Sequence, residues 1–369
     1  MNKYFDICAT TPIDARVLSF LNEESKNVFG NPSSIHGFGQ KSKAIIERAR
    51  INVAKSINCS PSEIIFTCGG SMSNNIALMG ALKKGDHFIT SSYEHPAILN
   101  VIPFLKKNGV NISLIRPNKD GIVDPSNVKN EINSKTRLVS IMHINNEIGT
   151  INPIDEISSI TKEEGVLFHT DAVQAMGKVV IDMQKGDIDL MSLSGHKFYA
   201  PKGIGILYVK DGTHIKPTLF GGGQESDLFP GTENIINIGA IGLAAQICHE
   251  NLDSNISKIK ELDDYFIELL NGSNIEYVIN GLNRVPGVIN LSLLNAKSSA
   301  FIINLDRKGF AISAGSACAS GASKGSHTLR ELGIKSQLMD KSYRISFGKL
   351  HSKKDIKSLF ELIKKSIKN

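Results

Sequence analysis

Paired cysteines are missing from this chain. Its five cysteines, Cys8, Cys59, Cys68, Cys248 and Cys318, are odd in number and form no C-x-x-C pair. That argues against a disulfide-stapled scaffold and against a zinc site, so no metal is expected. Long apolar runs are missing as well: the best, over 235–248, is broken by Asn237 and Gln246 and is too short to cross a bilayer. The opening MNKYFDICATT has no apolar core followed by small residues, so no secretory signal is read, and a cytoplasmic location without membrane contact is expected. Basic residues are not interleaved with aromatics in a recognisable module, which argues against direct nucleic-acid binding. No internal repeat or low-complexity tract is visible.

What remains describes an ordinary globular enzyme-sized chain. Its 369 residues, 41% hydrophobic and 21% charged, allow two or three packed units and a deep pocket. The net charge of +6 is densest near the carboxyl end, where Ile356, Leu359, Phe360 and Ile363 recur at helical spacing and predict an amphipathic closing helix. Between about 60 and 210, short β-branched runs at 63–67, 86–90, 111–115, 137–141, 165–170, 188–193 and 203–209 alternate with segments long enough for crossover helices. This pattern predicts an α/β fold with a mostly parallel central sheet covered on both faces. A helical pattern over 235–270 and shorter strands near 277–279, 287–294 and 342–347 predict a second, smaller α+β unit. Ligands of such sheets collect at the carboxyl ends of the strands, and polar clusters stand there.

Each cluster is ambiguous alone. Lys197, in SLSGHKFYAPKGIG, follows a strand and could form a Schiff base, though most lysines are solvated. Asp171, in HTDAVQ, follows a strand so apolar that its carboxylate must be paired. A pyridinium nitrogen would serve, and so would a helix that begins there. TCGGSMSNN places Gly69, Gly70 and Ser71 between a strand and a helix through 76–82, a geometry open to an anion or to nothing more than a turn; it matches neither the P-loop nor the dinucleotide fingerprint. His95 precedes a helix started by Pro96 and could be a cap. Cys318 lies in SAGSACASGASKGSH, rich enough in small residues to predict an accessible loop thiol.

Taken in order, the segments ATTP, GNPSSIH, EIIFT, EHPAIL, SIMHINNEIGT, FHTDAVQ, SLSGHKF, GGGQE, GTEN and SAGSACASG make the chain resemble the cysteine desulfurases of the NifS/IscS type, relatives of the class V aminotransferases. The resemblance implies the pyridoxal-phosphate fold type I, with a large cofactor domain over 13–254 and a small domain made of 1–12 and 255–369 that carries the cysteine loop. It implies pyridoxal 5'-phosphate held by Lys197, with Asp171 at the pyridine nitrogen, Gln174 at the phenolic oxygen and His95 stacked on the ring, assisting proton transfer. It further implies a phosphate cradle of Gly70, Ser71, Ser194 and His196, and a substrate carboxylate held by Asn146 and Arg344. Thr232 would reach the phosphate of a neighbouring subunit, so a homodimer with shared sites is implied. Cys318 would accept sulfur from L-cysteine as a persulfide, leaving L-alanine. Its SAGSAC loop resembles the long-loop branch, which hands sulfur directly to acceptor proteins such as an iron-sulfur scaffold or tRNA-thiolation proteins.

Two other readings stand beside this one. A selenocysteine lyase or an aminotransferase could use the same cofactor site, although aminotransfer has no use for a thiol at position 318. A weakly catalytic sulfur-transfer scaffold is suggested by departures from the pattern: Met72 stands where glutamate is usual, Phe229 and Pro230 where arginine and a small residue are usual, and Lys349 where a second arginine is usual.

Overall fold

The computed structural model describes residues 3–296, 298–314 and 325–368; Cys318 therefore lies outside the described residues. Seven strands form the larger sheet: β1 (Ile64–Thr67), β2 (His87–Ser91), β3 (Asn111–Ile115), β4 (Thr136–Ser140), β5 (Leu167–Asp171), β6 (Leu190–Ser194) and β7 (Gly205–Val209). Their order is β1-β7-β6-β5-β4-β2-β3. The pairs from β3 through β2, β4 and β5 to β6 are parallel. β7 is antiparallel to both β6 and β1, because the link from β6 is too short for a crossover helix and the chain must reverse. Every residue of β1, β2 and β6 is buried, which is why their apolar residues do not alternate with charged ones. β3, at the edge, buries only Ile115.

Helices α1 (Ala15–Asn27), α2 (Gly37–Ile57) and α3 (Gly70–Ala81) come from the first part of the chain. α3 begins at Gly70, earlier than the apolar spacing suggests, so its amino terminus sits directly on the glycines. The helical pattern over 235–270 is not one helix: it divides into Ile235–Glu250 and Leu252–Asn271. The break falls at Asn251, whose Nδ2 donates to Ile247 O at 2.8 Å, a side-chain bond that competes with the helical ladder. The helix Ile235–Glu250 packs so closely on α2 that a Cβ at Gly242 would stand 2.4 Å from Ala49 Cα. No larger residue fits that crossing.

The smaller sheet is antiparallel, in the order β10-β9-β8, from β8 (Tyr277–Asn280), β9 (Val288–Leu293) and β10 (Ser342–Ser346). The closing helix Lys353–Lys368 buries Ile356, Leu359, Phe360 and Ile363 as its spacing predicts. They join a cluster with Phe266, Leu270 and the amino-terminal Phe5. The expected fold class, a mostly parallel α/β sheet with a smaller α+β unit, is the observed one. No helix among the described residues is long and apolar enough to cross a membrane.

Candidate active site

The carboxyl ends of β1, β5 and β6 open on one cavity of about 520 Å³, closed on its other side by the amino-terminal segment and by Arg344 of β10. Lys197 sits in the short turn Gly195–Lys197 directly after β6. Its Nζ donates to Cys8 O at 2.6 Å and to Ala9 O at 2.9 Å. Burial pulls the amine down to about 8, and the positive charges of Lys178 and Arg344 push the same way. Burial thus brings the amine closer than an ordinary lysine to the free-base form that attacks a carbonyl.

Asp171 ends β5 and is 6% exposed. Its Oδ2 accepts from Asn74 Nδ2 at 2.7 Å and its Oδ1 from Val173 N–H at 3.0 Å. A helix starting at Asp171 was one sequence expectation; the chain instead enters a run of turns closed by Ala175 N–H to Ala172 O and Lys178 N–H to Ala175 O. The carboxylate therefore caps no helix, and it lines the cavity. Asn74, one turn into α3, fixes its orientation.

Gly70 and Ser71 open α3 at the cavity wall. A Cβ on Gly70 would lie 2.6 Å from Val173 Cγ2 and 3.3 Å from Ser194 Cβ, so glycine leaves the helix's first N–H groups approachable by an anion. Ser194, 4% exposed, and His196 line the same wall. Burial takes the His196 imidazole down to about 4, so it is neutral, and its Nδ1 lies 3.1 Å from Thr10 Oγ1. His95 does cap the short helix Pro96–Leu99, its Nδ1 accepting from Ala97 N–H at 3.1 Å. That bond places the proton of the neutral ring on Nε2, and burial favours the neutral ring. The cap and the cavity position are compatible, since His95 also lines the pocket.

Gln174 lines the cavity with its Nε2 donating to Cys8 O at 2.9 Å. Arg344, 1% exposed, reaches it from β10. Its Nη1 donates to Asn146 O at 2.8 Å and its Nη2 to Asp6 Oδ1 at 2.6 Å, while Nε has no partner among the described residues. Asn146 lines the cavity and also accepts from Arg344 through its main-chain oxygen. Thr232 is exposed and is not part of this wall. Met72 lines the cavity, whereas Phe229 packs partly buried against the apolar cluster of β1 and α3. Lys349 pairs with Asp14 Oδ2 at 2.7 Å and lies 4.1 Å from the Tyr199 ring centroid.

Sequence reasoning missed Asp6, Cys8, Asn74 and Lys178. Asn74 could have been found from its position four residues after Gly70; the carbonyl of Cys8 leaves no side-chain signal at all. Among the described residues no cluster of histidine, cysteine or acidic side chains could hold a metal ion. The set at hand is a carboxylate, a depressed amine and a glycine-opened helix amino terminus, arranged around one cavity. It fits an anionic phosphate at α3, a carbonyl carbon at Lys197 and a protonated ring nitrogen at Asp171, the three demands of pyridoxal phosphate.

Residues 3–359 match the aminotransferase class-V family. The chain is 40% identical over 370 residues to the cysteine desulfurase IscS of Dictyoglomus turgidum, covering 99% of this chain and 94% of that protein. Among solved structures, a NifS-like protein superposes with a TM-score of 0.93 at 31% identity, each chain covered over its full length. The structure of SspA in complex with cysteine superposes with a TM-score of 0.83 at 34% identity, over 94% of this chain and 98% of that one.

Proposed function

The chain belongs to the aminotransferase class-V family, and from that membership we propose that it is a pyridoxal-phosphate-dependent cysteine desulfurase. One observation carries the reading: Lys197, Asp171 and the start of α3 converge on one cavity in a chain that aligns end to end with proteins named cysteine desulfurase. Pyridoxal phosphate, when bound, supplies an electron sink for the carbanion formed at the α-carbon of an amino acid. Lys197 would hold the cofactor, and its amine, whose pKa burial lowers, would take the α-proton. Asp171 would hold the ring nitrogen in its protonated form. Gln174 would donate to the ring oxygen, and His95 would face the ring and move protons at its Nε2. Gly70, Ser71, Ser194 and His196 would receive the phosphate.

Arg344, with Asn146, holds the carboxylate of L-cysteine, using the guanidinium N–H groups that Asp6 and Asn146 O leave free. Cys318 then attacks the substrate sulfur as a thiolate. The new S–S bond forms as the substrate C–S bond breaks, the electron pair stays with the three-carbon unit, and protonation gives L-alanine and a persulfide on Cys318. The sulfur passes on to an acceptor protein, an iron-sulfur scaffold or a tRNA-thiolation protein. We assign residues 13–254 to the cofactor domain and 1–12 with 255–369 to the small domain, a division supported by the separate core that Phe5 shares with residues from 259 onward. The active form is a homodimer. Exposed Phe29, Ile35 and Phe38 and the position of Thr232 outside its own chain's cavity support a second copy that completes each site.

The test is direct. Purified protein should carry a visible cofactor band and convert L-cysteine to L-alanine, and Lys197→Ala should lose both. A colourless protein that takes up no added pyridoxal phosphate, or a Lys197→Ala variant with full activity, would overturn the assignment.

A further inference from the structure

Lys178 lies four residues beyond Gln174 and, among the described residues, is a half-buried lysine beside the cavity that the reaction above leaves without a task. Its Nζ donates to Gln174 Oε1, and to Gln174 O at 3.1 Å. It forms no ion pair among the described residues, and burial holds its amine below the ordinary lysine value. An ammonium placed this way is anchored on a single residue, the glutamine that lines the cavity.

The consequence concerns which way the Gln174 amide faces. With Oε1 against an ammonium and Nε2 against the carbonyl oxygen of Cys8 at 2.9 Å, both ends of the amide are matched. The flipped amide would set an NH2 group against the ammonium and an oxygen against an oxygen, two repulsions in place of two attractions. The amide nitrogen carries two hydrogens and Cys8 O takes one. The second is left for the cavity, so Gln174 can offer a bound molecule a donor and never an acceptor.

The position of that donor follows from a shared partner. Lys197 Nζ and Gln174 Nε2 both donate to Cys8 O, at 2.6 and 2.9 Å, so the amide lies beside the amine. In a pyridoxal ring the hydroxyl-bearing carbon adjoins the carbon that carries the aldehyde, and the phosphate arm is on the other side. With the aldehyde carbon at Lys197 and the phosphate at α3, the ring oxygen falls on the side away from α3, where Gln174 donates. We propose that Lys178 is a positioning residue that fixes Gln174 as a hydrogen-bond donor to the ring oxygen of pyridoxal phosphate, an inference that rests on the cofactor reading above.

The experiment compares binding of pyridoxal phosphate with binding of its 3-deoxy analogue, which lacks that oxygen, to the cofactor-free full chain. The wild-type protein should prefer the natural cofactor by roughly tenfold or more, the worth of one charge-assisted bond. Lys178→Met should erase most of that preference while binding the deoxy analogue as the wild type does. Lys178→Leu removes the same donor and charge and gives the same reading if the methionine variant does not fold. A variant that keeps the preference overturns the inference, and so does one that loses affinity for both molecules equally, which would mark Lys178 as a structural group only. A wild-type protein that binds neither molecule would overturn the cofactor reading itself, a failure separate from the other two.

Discussion

Replacing Arg344 with lysine separates two tasks that this side chain performs together. Its guanidinium bridges Asn146 O and Asp6 Oδ1 at 2.8 and 2.6 Å, and only the remaining N–H groups, Nε among them, are left for a substrate carboxylate. Lysine keeps the charge but has no planar fork, so it can serve one of these acceptors and cannot hold a carboxylate in two places. Loss of a charge-assisted bond costs about 1.5–3 kcal/mol, which is roughly ten- to hundredfold in KM for L-cysteine. Truncation to alanine is less informative, because it also takes the guanidinium away from half-buried Asp6, leaving Ser313 Oγ as its donor, and so mixes folding with binding. Asp6→Asn is the matching control: it removes the opposing carboxylate and leaves the guanidinium. That variant should be less stable to urea, yet its KM should stay equal or fall, since the charge facing the substrate is no longer neutralised. Alanine formation against L-cysteine concentration, with urea unfolding of each variant, reads both effects. If Asp6→Asn raises KM as much as Arg344→Lys does, or if Arg344→Lys leaves KM unchanged, Arg344 does not hold the carboxylate.

Because only the neutral amine reacts with an aldehyde and Lys197 is held at about 8, the rate of cofactor uptake by cofactor-free protein should climb about tenfold per pH unit below that value and level off above it. A rate independent of pH between 6 and 9 would place the reacting amine elsewhere. Gly70→Ala puts a Cβ 2.6 Å from Val173 Cγ2, an overpacking worth about 1–3 kcal/mol; equilibrium dialysis should show weaker cofactor retention, and unchanged retention would remove the phosphate from α3. Glu94 is fully buried, its Oε1 accepting from Ser91 Oγ at 2.6 Å and Met142 N–H at 2.9 Å while Oε2 has no partner among the described residues. Burial pushes its carboxyl up to about 8, so the folded protein keeps a proton that the unfolded chain releases near pH 4.5 and above. Its contribution to stability is whole below that pH and is lost as pH rises through about 8. Glu94→Gln should therefore gain stability relative to the wild type across this window in urea unfolding at several pH values, and a constant difference would refute the assignment of the charge.

Much of the fold is written where side chains alone decide. Strands such as β1 and β6, buried at every position, have nothing but apolar or small residues along them, and the polar residues Thr67 and Ser194 that close them, like Asp171 at the end of β5, fall at the ends where a ligand would sit. The antiparallel turn of β7 is less legible, because it depends on the length of a link. The division of the helix at Asn251 turns on one side chain competing with the ladder, in a stretch whose apolar spacing continues on both sides. At the site, the residues that touch a ligand carry recognisable chemistry, while those that aim them do not. Asn74 orients Asp171, Asp6 holds Arg344, and the carbonyl of Cys8 receives two donors. A main-chain oxygen looks the same behind every residue, so only the folded chain brings it to Lys197 and Gln174.

The most direct measurement is the mass of the cysteine-bearing peptides after the cofactor-loaded protein meets one equivalent of L-cysteine without an acceptor or reductant. The peptide containing Cys318 should gain the mass of a single sulfur atom, with L-alanine released in equal amount, and the Cys318→Ser protein should still bind cofactor and L-cysteine but add no sulfur. Alanine released in stoichiometric amount with the added sulfur on Cys8 or Cys68, or with Cys318→Ser as active as the wild type, would contradict the assignment of the sulfur acceptor.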